Sequence, residues 1–415
     1  MKKLMLILAI MAALAVFAAA CAPAAAPAPT AAPATAAPAA PVATTAPTAA
    51  PKPAASTTIT IWTGYHTGDN EEKTINQLVE AAKKDMPDVK ITVLEIPFDQ
   101  LFNKFETEAA TGGGPDMYIA PNDSLGKEAR AGLLAPLDDM LKGKLDPFSK
   151  LSVQGVTVDG KIYAVPMIPK ALAMYYNTDK VKTAPKTTDE LLAAVKAGTK
   201  VGIPNSGYHT FGWWRAFGGQ LFDATNKCVA DTTGVADAYT YLLSLKAAGA
   251  TVDSDGKLDT LFRSGAMDIY FNGPWVLGGN EDAQKGKVGV APMPKGPKGD
   301  AGPLTGIDGW YINAASKNKD KAVAVALYLS SKDAQTLYAN VAGDPAARTD
   351  VAPTNPNVKA FADAAIAGFP RPLVPELDGF WGPFGDAATK IFEAKSTPAD
   401  AIKEACAATN KTNKK

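Results

Sequence analysis

Regular alternation of strand-type and helix-type segments opens the folded part of the chain and restricts the folds open to it. Thr58–Trp62 alternates apolar and polar residues and is rich in β-branched side chains, which predicts a strand. Apolar residues recur at helical spacing between Ile75 and Ala82 and again from Leu101 to Phe105. Val89–Leu94 and Met117–Ala120 are the next two predicted strands. A strand–helix–strand–helix–strand order predicts an α/β fold whose strands run parallel.

The carboxyl ends of such strands are where ligands bind in open α/β sheets. This rule selects two predicted loops, Gly64–Asp69 and Pro121–Ser124. The Gly112–Gly114 run is not a phosphate-binding loop, because it lacks the Lys-Ser/Thr ending and does not open a helix after a strand. We interpret it as a helix stop followed by a turn.

The rest of the folded region continues the mixed pattern up to about residue 412. Asp159-Gly160 between two β-type runs indicates a two-residue hairpin, and Thr187 with Glu190 forms a capping box. Between residues 230 and 290 we expect helices and one strand. Further strands are predicted at Ala173–Asn177, Val201–Pro204, Asp268–Asn272 and Trp310–Ala314, and late helices at about 319–331, 333–343, 357–367, 380–394 and 398–409. With 415 residues, two lobes are expected rather than one core.

The first 57 residues have a different composition. Met1–Ala20 carries Lys2 and Lys3 before a short apolar run, the pattern of a secretory signal peptide. Ala18-Ala19-Ala20-Cys21 resembles a bacterial lipobox, so Cys21 is the expected lipidation site. Residues 22–57 are almost entirely Ala, Pro and Thr, and with Cys21 they form a predicted tether, because no apolar face exists from which a core could form.

Charge and composition exclude several functions. The chain has 42 basic and 42 acidic residues, so nucleic acid is not an expected partner. Two histidines and three cysteines leave little material for a metal centre, and we expect neither a metal nor a cofactor. Export would permit a disulfide between Cys228 and Cys406, but the sequence leaves their proximity open.

Six segments resemble one protein family, the extracellular solute-binding proteins of ABC importers, and within it the maltose/maltodextrin-binding branch. They occur in the family's order over essentially all of residues 58–412. The segments are Gly114–Asp116, Asp159–Pro166, Ala173–Asn177, Gly265–Trp275, Tyr311–Ser316 and Pro375–Trp381.

The resemblance implies a two-lobed, periplasmic-binding-protein-like α/β fold with a hinge, a ligand cleft and a helical C-terminal tail. The expected N-terminal lobe is 58–168 plus 309–348, and the C-terminal lobe is 172–304 plus 352–412. It also implies an exported monomer, anchored to the membrane only through Cys21, that binds an oligosaccharide and delivers it to permease subunits by hinge closure. No enzymatic activity is expected.

Sugars are recognised by aromatic rings that stack on their C–H faces and by polar groups that bond their hydroxyls. Trp275 and Trp381 fall on family positions that stack pyranose rings, and Tyr208 falls on a residue that lines the site. Asp123 matches a family carboxylate that accepts sugar hydroxyls; as a helix cap it could serve locally as well. Asn122 stands beside it.

Other positions depart from the family pattern. His66, next to Tyr65, occupies a position where the family often has an acid. Family aromatic and acidic positions fall on Ala120, Lys170 and Ser206. We expect Lys170 to pair with Asp123 or with an acidic ligand group, unless it is simply solvated.

Two further residues are candidates for the cleft. Trp310 is expected to supply the stacking ring that Ala120 lacks, and Arg371 is expected to face the ligand. Trp62, within the first strand, is expected in the core.

Two other functions compete with sugar binding. A binding protein for a charged or non-sugar solute, such as a polyol phosphate, a polyamine or a peptide, stays open because of Lys170 and Arg371. A secreted hydrolase is disfavoured, because neither G-x-S-x-G nor H-E-x-x-H occurs in the sequence.

Overall fold

Residues 56–415 are described by a computed structural model of the protein. The signal peptide expected at 1–20, the lipidation site Cys21 and nearly all of the tether expected at 21–57 lie outside the described residues. The described chain contains the following strands and helices in order. They are β1 (Thr57–Thr63), α1 (Asn70–Asp85), β2 (Val89–Glu95), α2 (Phe98–Ala109), β3 (Met117–Pro121), α3 (Leu125–Arg130), α4 (Asp138–Leu141), α5 (Lys150–Gln154), β4 (Thr157–Val158), β5 (Lys161–Ile162), β6 (Ala164–Lys170), β7 (Ala173–Asn177), α6 (Thr188–Lys196), β8 (Val201–Pro204), α7 (Gly207–Ala216), α8 (Val235–Ala247), β9 (Thr251–Asp253), α9 (Asp255–Arg263), β10 (Ile269–Asn272), α10 (Leu277–Gln284), β11 (Val288–Ala291), β12 (Leu304–Ile312), α11 (Lys319–Leu329), α12 (Lys332–Val341), α13 (Pro356–Ala367), β13 (Phe369–Pro370), α14 (Asp378–Phe392) and α15 (Pro398–Thr412).

The first sheet has the order β13-β12-β3-β1-β2, and β6 also pairs with β12. β1 runs parallel to β2 and β3, as the strand–helix alternation predicts. β12 runs antiparallel to both β3 and β6, so the sheet is mixed rather than wholly parallel. Apolar clusters lie on both faces of this sheet, and its strands β6 and β12 are buried along their whole length.

The second sheet has the order β11-β7-β10-β8-β9. β10 is parallel to β8 but antiparallel to β7, and β7 is also antiparallel to β11. Its two faces are buried under separate apolar clusters. We call the first sheet with α1–α5, α11 and α12 the first lobe, and the second sheet with α6–α10 and α13–α15 the second lobe.

Local signals in the sequence account for many element ends. Thr187 and Thr397 accept hydrogen bonds from the backbone N–H groups of Glu190 and Asp400, as their capping patterns predict. Asp159 and Gly160 both have positive φ, the geometry of a two-residue hairpin turn. α2 ends before the Gly112–Gly114 run, which forms the expected turn.

Two predictions of secondary structure were incomplete. β12 begins six residues before the predicted start at Trp310, since Leu304 to Ile307 continue the extended chain. Residues 230–290 contain two further strands, β9 and β11, besides the one expected. Each of them has only three or four residues, which is too short for an alternating pattern to be recognised.

The chain passes between the two lobes at three places. It leaves the first lobe after Lys170, re-enters it between Leu304 and Ile307, and leaves again after Ala347. These crossings make the hinge of the fold, and each one has charged residues on its first-lobe side.

A disulfide between Cys228 and Cys406 links α15 to the loop that precedes α8. The backbone N–H of Cys228 also donates to Asn410 Oδ1 at 2.8 Å, so a disulfide and a hydrogen bond both attach α15 to this loop. Across residues 56–415, no helix combines the length and the apolar character needed to cross a bilayer.

Candidate functional site

Three aromatic side chains of the second lobe are only half-buried where the lobes meet. Trp275 lies in a short 3-10 turn after β10, Tyr208 in the first turn of α7 and Trp381 in the first turn of α14. The Trp275 and Tyr208 ring centroids are 6.2 Å apart. Gly273 permits this arrangement, because a side chain there would collide with the Trp275 ring. The structure therefore brings together the three rings that the resemblance selected.

Arg371 joins these rings to the first lobe. Its guanidinium carbon lies 5.7 Å from the ring centroids of both Tyr208 and Trp381, within the range of cation–π attraction. The same group forms an ion pair with Asp123, which follows β3. Gly306 makes room for it, since a Cβ atom at Gly306 would stand 2.7 Å from Arg371 Nη1. Arg371 is thus a bridge across the site and not a free cation.

Asn122 holds Arg371 in place through hydrogen bonds. Its Oδ1 accepts from Arg371 Nη1 at 3.3 Å and from the backbone N–H of Ile307 at 3.2 Å. Its Nδ2 donates to the Gly155 carbonyl at 2.8 Å. Both ends of the amide are therefore engaged within the protein, and Asn122 is 2% exposed.

Lys170 forms a second charged centre, at the end of β6. Its Nζ pairs with Glu71 of α1 and lies 2.9 Å from Asp308 Oδ2 of β12. The Tyr65 hydroxyl donates to the same Asp308 oxygen at 2.8 Å. Lys170 Nζ also lies 4.9 Å from the Tyr65 ring centroid and 5.7 Å from that of Trp275, so it touches both lobes.

The ionisation of the site follows from these contacts. Burial alone would lower the pKa of Lys170, but Asp308, Glu71 and Asp344 outweigh it and raise that pKa. Burial raises the pKa of Tyr208 to about 12, although Arg371 opposes the rise. Burial also raises the pKa of Asp123, again against the pull of Arg371. At neutral pH Lys170 is charged and Tyr208 is a neutral hydroxyl.

The structure corrects two of the sequence predictions. Lys170 neither pairs with Asp123 nor lies in solvent; its partners are Glu71 and Asp308, because β12 passes directly beside β6. Trp310 does not supply a stacking ring, because it is fully buried in the core of the first lobe. β12 pairs with β3 in unbroken register from Asp308 to Ile312, and Trp310 packs with Ile312 in the same apolar cluster.

The two histidines of the chain occupy different surroundings. His66 is exposed on the loop after β1. His209 is buried in α7, where its ring nitrogens contact Ser206 and Asn272. Trp62 is in the core, as expected, and the buried pair Trp213 and Trp214 is in the core of the second lobe. In the part of the chain from 56 to 415, no group of three metal-ligating side chains is assembled.

Sequence reasoning missed the acidic partners of Lys170. Glu71 is one of two acids in the first turn of α1, where acids commonly stabilise a helix start. Asp308 lies two residues before Trp310, and the prediction selected Trp310. Asp344 follows α12 in a Gly-Asp-Pro turn with no motif of its own. A usable signal was the lysine itself, since a cation on a buried strand requires carboxylates nearby.

The second lobe contributes half-exposed aromatic rings to the site, and the first lobe contributes ion pairs. This combination is typical of a two-lobed binding protein. Residues 77–367 match the family described as bacterial extracellular solute-binding protein. The chain belongs to that family, whose members are solute-binding proteins and not enzymes.

Relatives with a stated ligand agree with this class. The maltotriose-binding protein of Pyrococcus abyssi is 27% identical over 364 residues, covering 81% of this chain and 78% of its own. The galactooligosaccharide-binding protein of Bacillus subtilis is 25% identical over 372 residues, covering 81% and 86%. Among solved structures, the Thermus thermophilus maltotriose-binding protein, bound with maltotriose, is 27% identical with a TM-score of 0.77, covering 85% of this chain and 99% of its own.

Proposed function

We propose that this protein is the receptor of an ABC importer and binds an uncharged oligosaccharide of the maltodextrin type between its lobes. The observation that carries the proposal is the trio of half-buried rings, Tyr208, Trp275 and Trp381, at the junction of the lobes. Such rings supply apolar area for the C–H faces of sugars. Closure of the hinge around the sugar would present the loaded form to the permease.

The proposed lobes are residues 58–168 with 309–348 and residues 172–304 with 352–412. The two sheets and their separate apolar clusters support this division. We further propose that the receptor is an exported monomer. The lipobox-like sequence Ala18-Ala19-Ala20-Cys21 supports attachment of the receptor to the membrane, and the Ala/Pro/Thr-rich segment after it would be the tether.

A charged solute is the competing ligand, and the ion pairs weaken the case for an anionic one. Lys170 is held by Glu71 and Asp308, and Arg371 is held by Asp123. An anionic ligand would have to compete with carboxylates that are already in place. Four acids, these three and Asp344, surround two basic groups, so the balance of charge disfavours anions.

Neutral and charged ligands predict different effects of salt concentration on the binding affinity. Affinity for a neutral oligosaccharide should change by less than about twofold between low and high salt, because no net charge is neutralised on binding. Isothermal titration of residues 58–415 with maltotriose, a galactooligosaccharide, glycerol phosphate and spermidine, at two salt concentrations, checks this. Binding only of a charged solute, with affinity that falls as salt rises, would overturn the oligosaccharide proposal.

The stacking rings predict a loss of affinity on truncation. Trp275→Ala and Trp381→Ala should each weaken binding of the oligosaccharide by about 1–3 kcal/mol, through lost stacking and lost apolar contact. Titration calorimetry of each variant measures the change. Ile366→Ala is the matched control, since Ile366 is 73% exposed on α13 and lies outside the ring trio. Unchanged affinity in both Trp variants would place the binding site elsewhere.

A further inference from the structure

A buried cluster of three acids and one lysine lies beside the three crossings between the lobes. Lys170 ends β6 at the first crossing, Asp308 follows the second, and Asp344 precedes the third. Glu71, in the first turn of α1, completes the cluster. Their exposed fractions are 8%, 0%, 0% and 6%, in that order, so water does not solvate these charges. We call these four residues the hinge cluster.

The hinge cluster has more carboxyl groups than cations. Three carboxyls face one ammonium group, and Lys170 contacts only two of them, Glu71 and Asp308. Fully ionised, the cluster would hold an excess of two negative charges in a site shielded from solvent. A buried charge without a partner is strongly destabilising, and the usual remedy is to take up a proton.

Asp344 is the member of the hinge cluster that receives no hydrogen bond. Neither of its carboxylate oxygens has a hydrogen-bond partner, although the side chain is fully buried. Its carboxyl is a neighbour of the Glu71 carboxyl, because the first turn of α1 packs against the end of α12, where Asn70 donates to the Val341 carbonyl at 3.2 Å. Two carboxylates cannot bond to each other, whereas a carboxylic acid donates well to a carboxylate. A single proton between them would satisfy both groups.

We propose that Glu71 and Asp344 form a proton-binding site in the hinge, where one proton is shared between the two carboxyls. The proton lets Glu71 keep its ion pair with Lys170 while it accepts a hydrogen bond from Asp344. Loss of the proton leaves two adjacent carboxylates beside a crossing of the chain. The hinge is thereby made sensitive to pH, whichever solute the protein binds.

The surroundings agree with proton uptake. Burial is the largest cause that raises the pKa of Asp344, and the neighbouring Glu71 and Asp308 raise it further, while Lys170 opposes them. Burial also raises the pKa of Glu71. The groups that face Asp344 are Glu71 on α1, Lys170 on β6, Asp308 on β12, Tyr338 on α12, Tyr65 after β1 and Tyr175 on β7.

The direction of the pH effect follows from the raised pKa. The folded protein holds the proton more tightly than the unfolded chain does, so the stabilisation is complete below the ordinary pKa of a carboxyl. It is lost as the pH rises through the raised value. Asparagine at 344 would keep a donor for Glu71 and could not ionise.

Thermal unfolding of the unliganded full chain tests the site between about pH 5 and 9. Asp344→Asn should match the wild-type midpoint at the acidic end and exceed it by about 2–4 °C at the basic end. Asp363→Asn is the control, because Asp363 is an exposed, ion-paired acid of α13. Parallel pH profiles for the wild type and Asp344→Asn would overturn the proposal.

A second measurement does not depend on a variant of Asp344 that folds. An infrared spectrum of the folded protein at the acidic end should contain the carbonyl band of a protonated carboxyl that disappears at the basic end. The Glu128→Gln background removes one other buried carboxyl. Because burial also raises the pKa of Asp123, the response of the band to Glu71→Gln assigns it to the hinge. Glu71→Gln keeps an acceptor oxygen but removes the neighbouring negative charge, so the band should disappear at a lower pH than in the parent protein. A band that does not shift in Glu71→Gln would overturn the proposal. Absence of any titrating band in that background would also overturn the proposal.

Discussion

Loss of the Cys228–Cys406 disulfide should lower the free energy of unfolding by about 2–5 kcal/mol. The bond closes a segment with a sequence separation of 178 residues, so it removes much freedom from the unfolded chain. Both cysteines are buried against the core of the second lobe, where α15 packs on α14 and α8. We expect the effect to fall on the second lobe, with α15 detaching first.

Urea denaturation of residues 58–415 with and without reductant measures this loss, and alkylation under denaturing conditions counts the thiols. The double variant Cys228→Ser, Cys406→Ser is the control, because it should be as unstable as the reduced protein and indifferent to reductant. Two alkylated thiols in the unreduced protein would contradict the bond itself.

Stability should also fall as the pH rises, because of Glu128 in α3. This side chain is fully buried, one oxygen accepts from the Tyr118 hydroxyl, and the other has no partner. Burial raises the pKa of Glu128 to about 8. The folded state therefore binds the proton more tightly than the unfolded state, and the stabilisation present at about pH 4 is lost as the pH rises through 8.

The expected size of this loss is on the order of 3–5 kcal/mol, since each unit of pKa difference corresponds to about 1.4 kcal/mol. Glu128→Gln keeps the size of the side chain and an acceptor for Tyr118, and it should remove that part of the pH dependence. Urea denaturation across the pH range checks it, with the exposed Glu80→Gln as the control. If the variant loses stability with pH as steeply as the wild type, Glu128 is ionised in the fold.

The fold was predictable where one segment carried its own signal. The first three strands, the hairpin at Asp159-Gly160 and the capped helices all follow from alternation, spacing and cap residues. The direction of β12 could not be predicted, because pairing with β3 and β6 depends on residues about 140 to 190 positions apart. The same limit applies to β9 and β11, whose short segments are extended only because the second sheet holds them.

The candidate site was predictable only in part for the same reason. Aromatic residues at family positions, such as Trp275, were found by resemblance to known proteins. The partners of Lys170 come from α1 and β12, which no local pattern connects. Trp310 was misplaced because neighbouring segments that are distant in sequence bury it completely in the core of the first lobe. Ion pairs across distant segments are the part of a site that a single sequence does not reveal.

The central place of β12 in the first sheet has a consequence for the order of events during synthesis. β3 and β6 are made early, yet both must wait for β12 to occupy the edges that they share with it. Until the ribosome has passed Ile312, the nascent first lobe has open strand edges and an unfinished core. The first lobe can therefore complete its sheet only late in translation, although its first strand is among the earliest parts to be made.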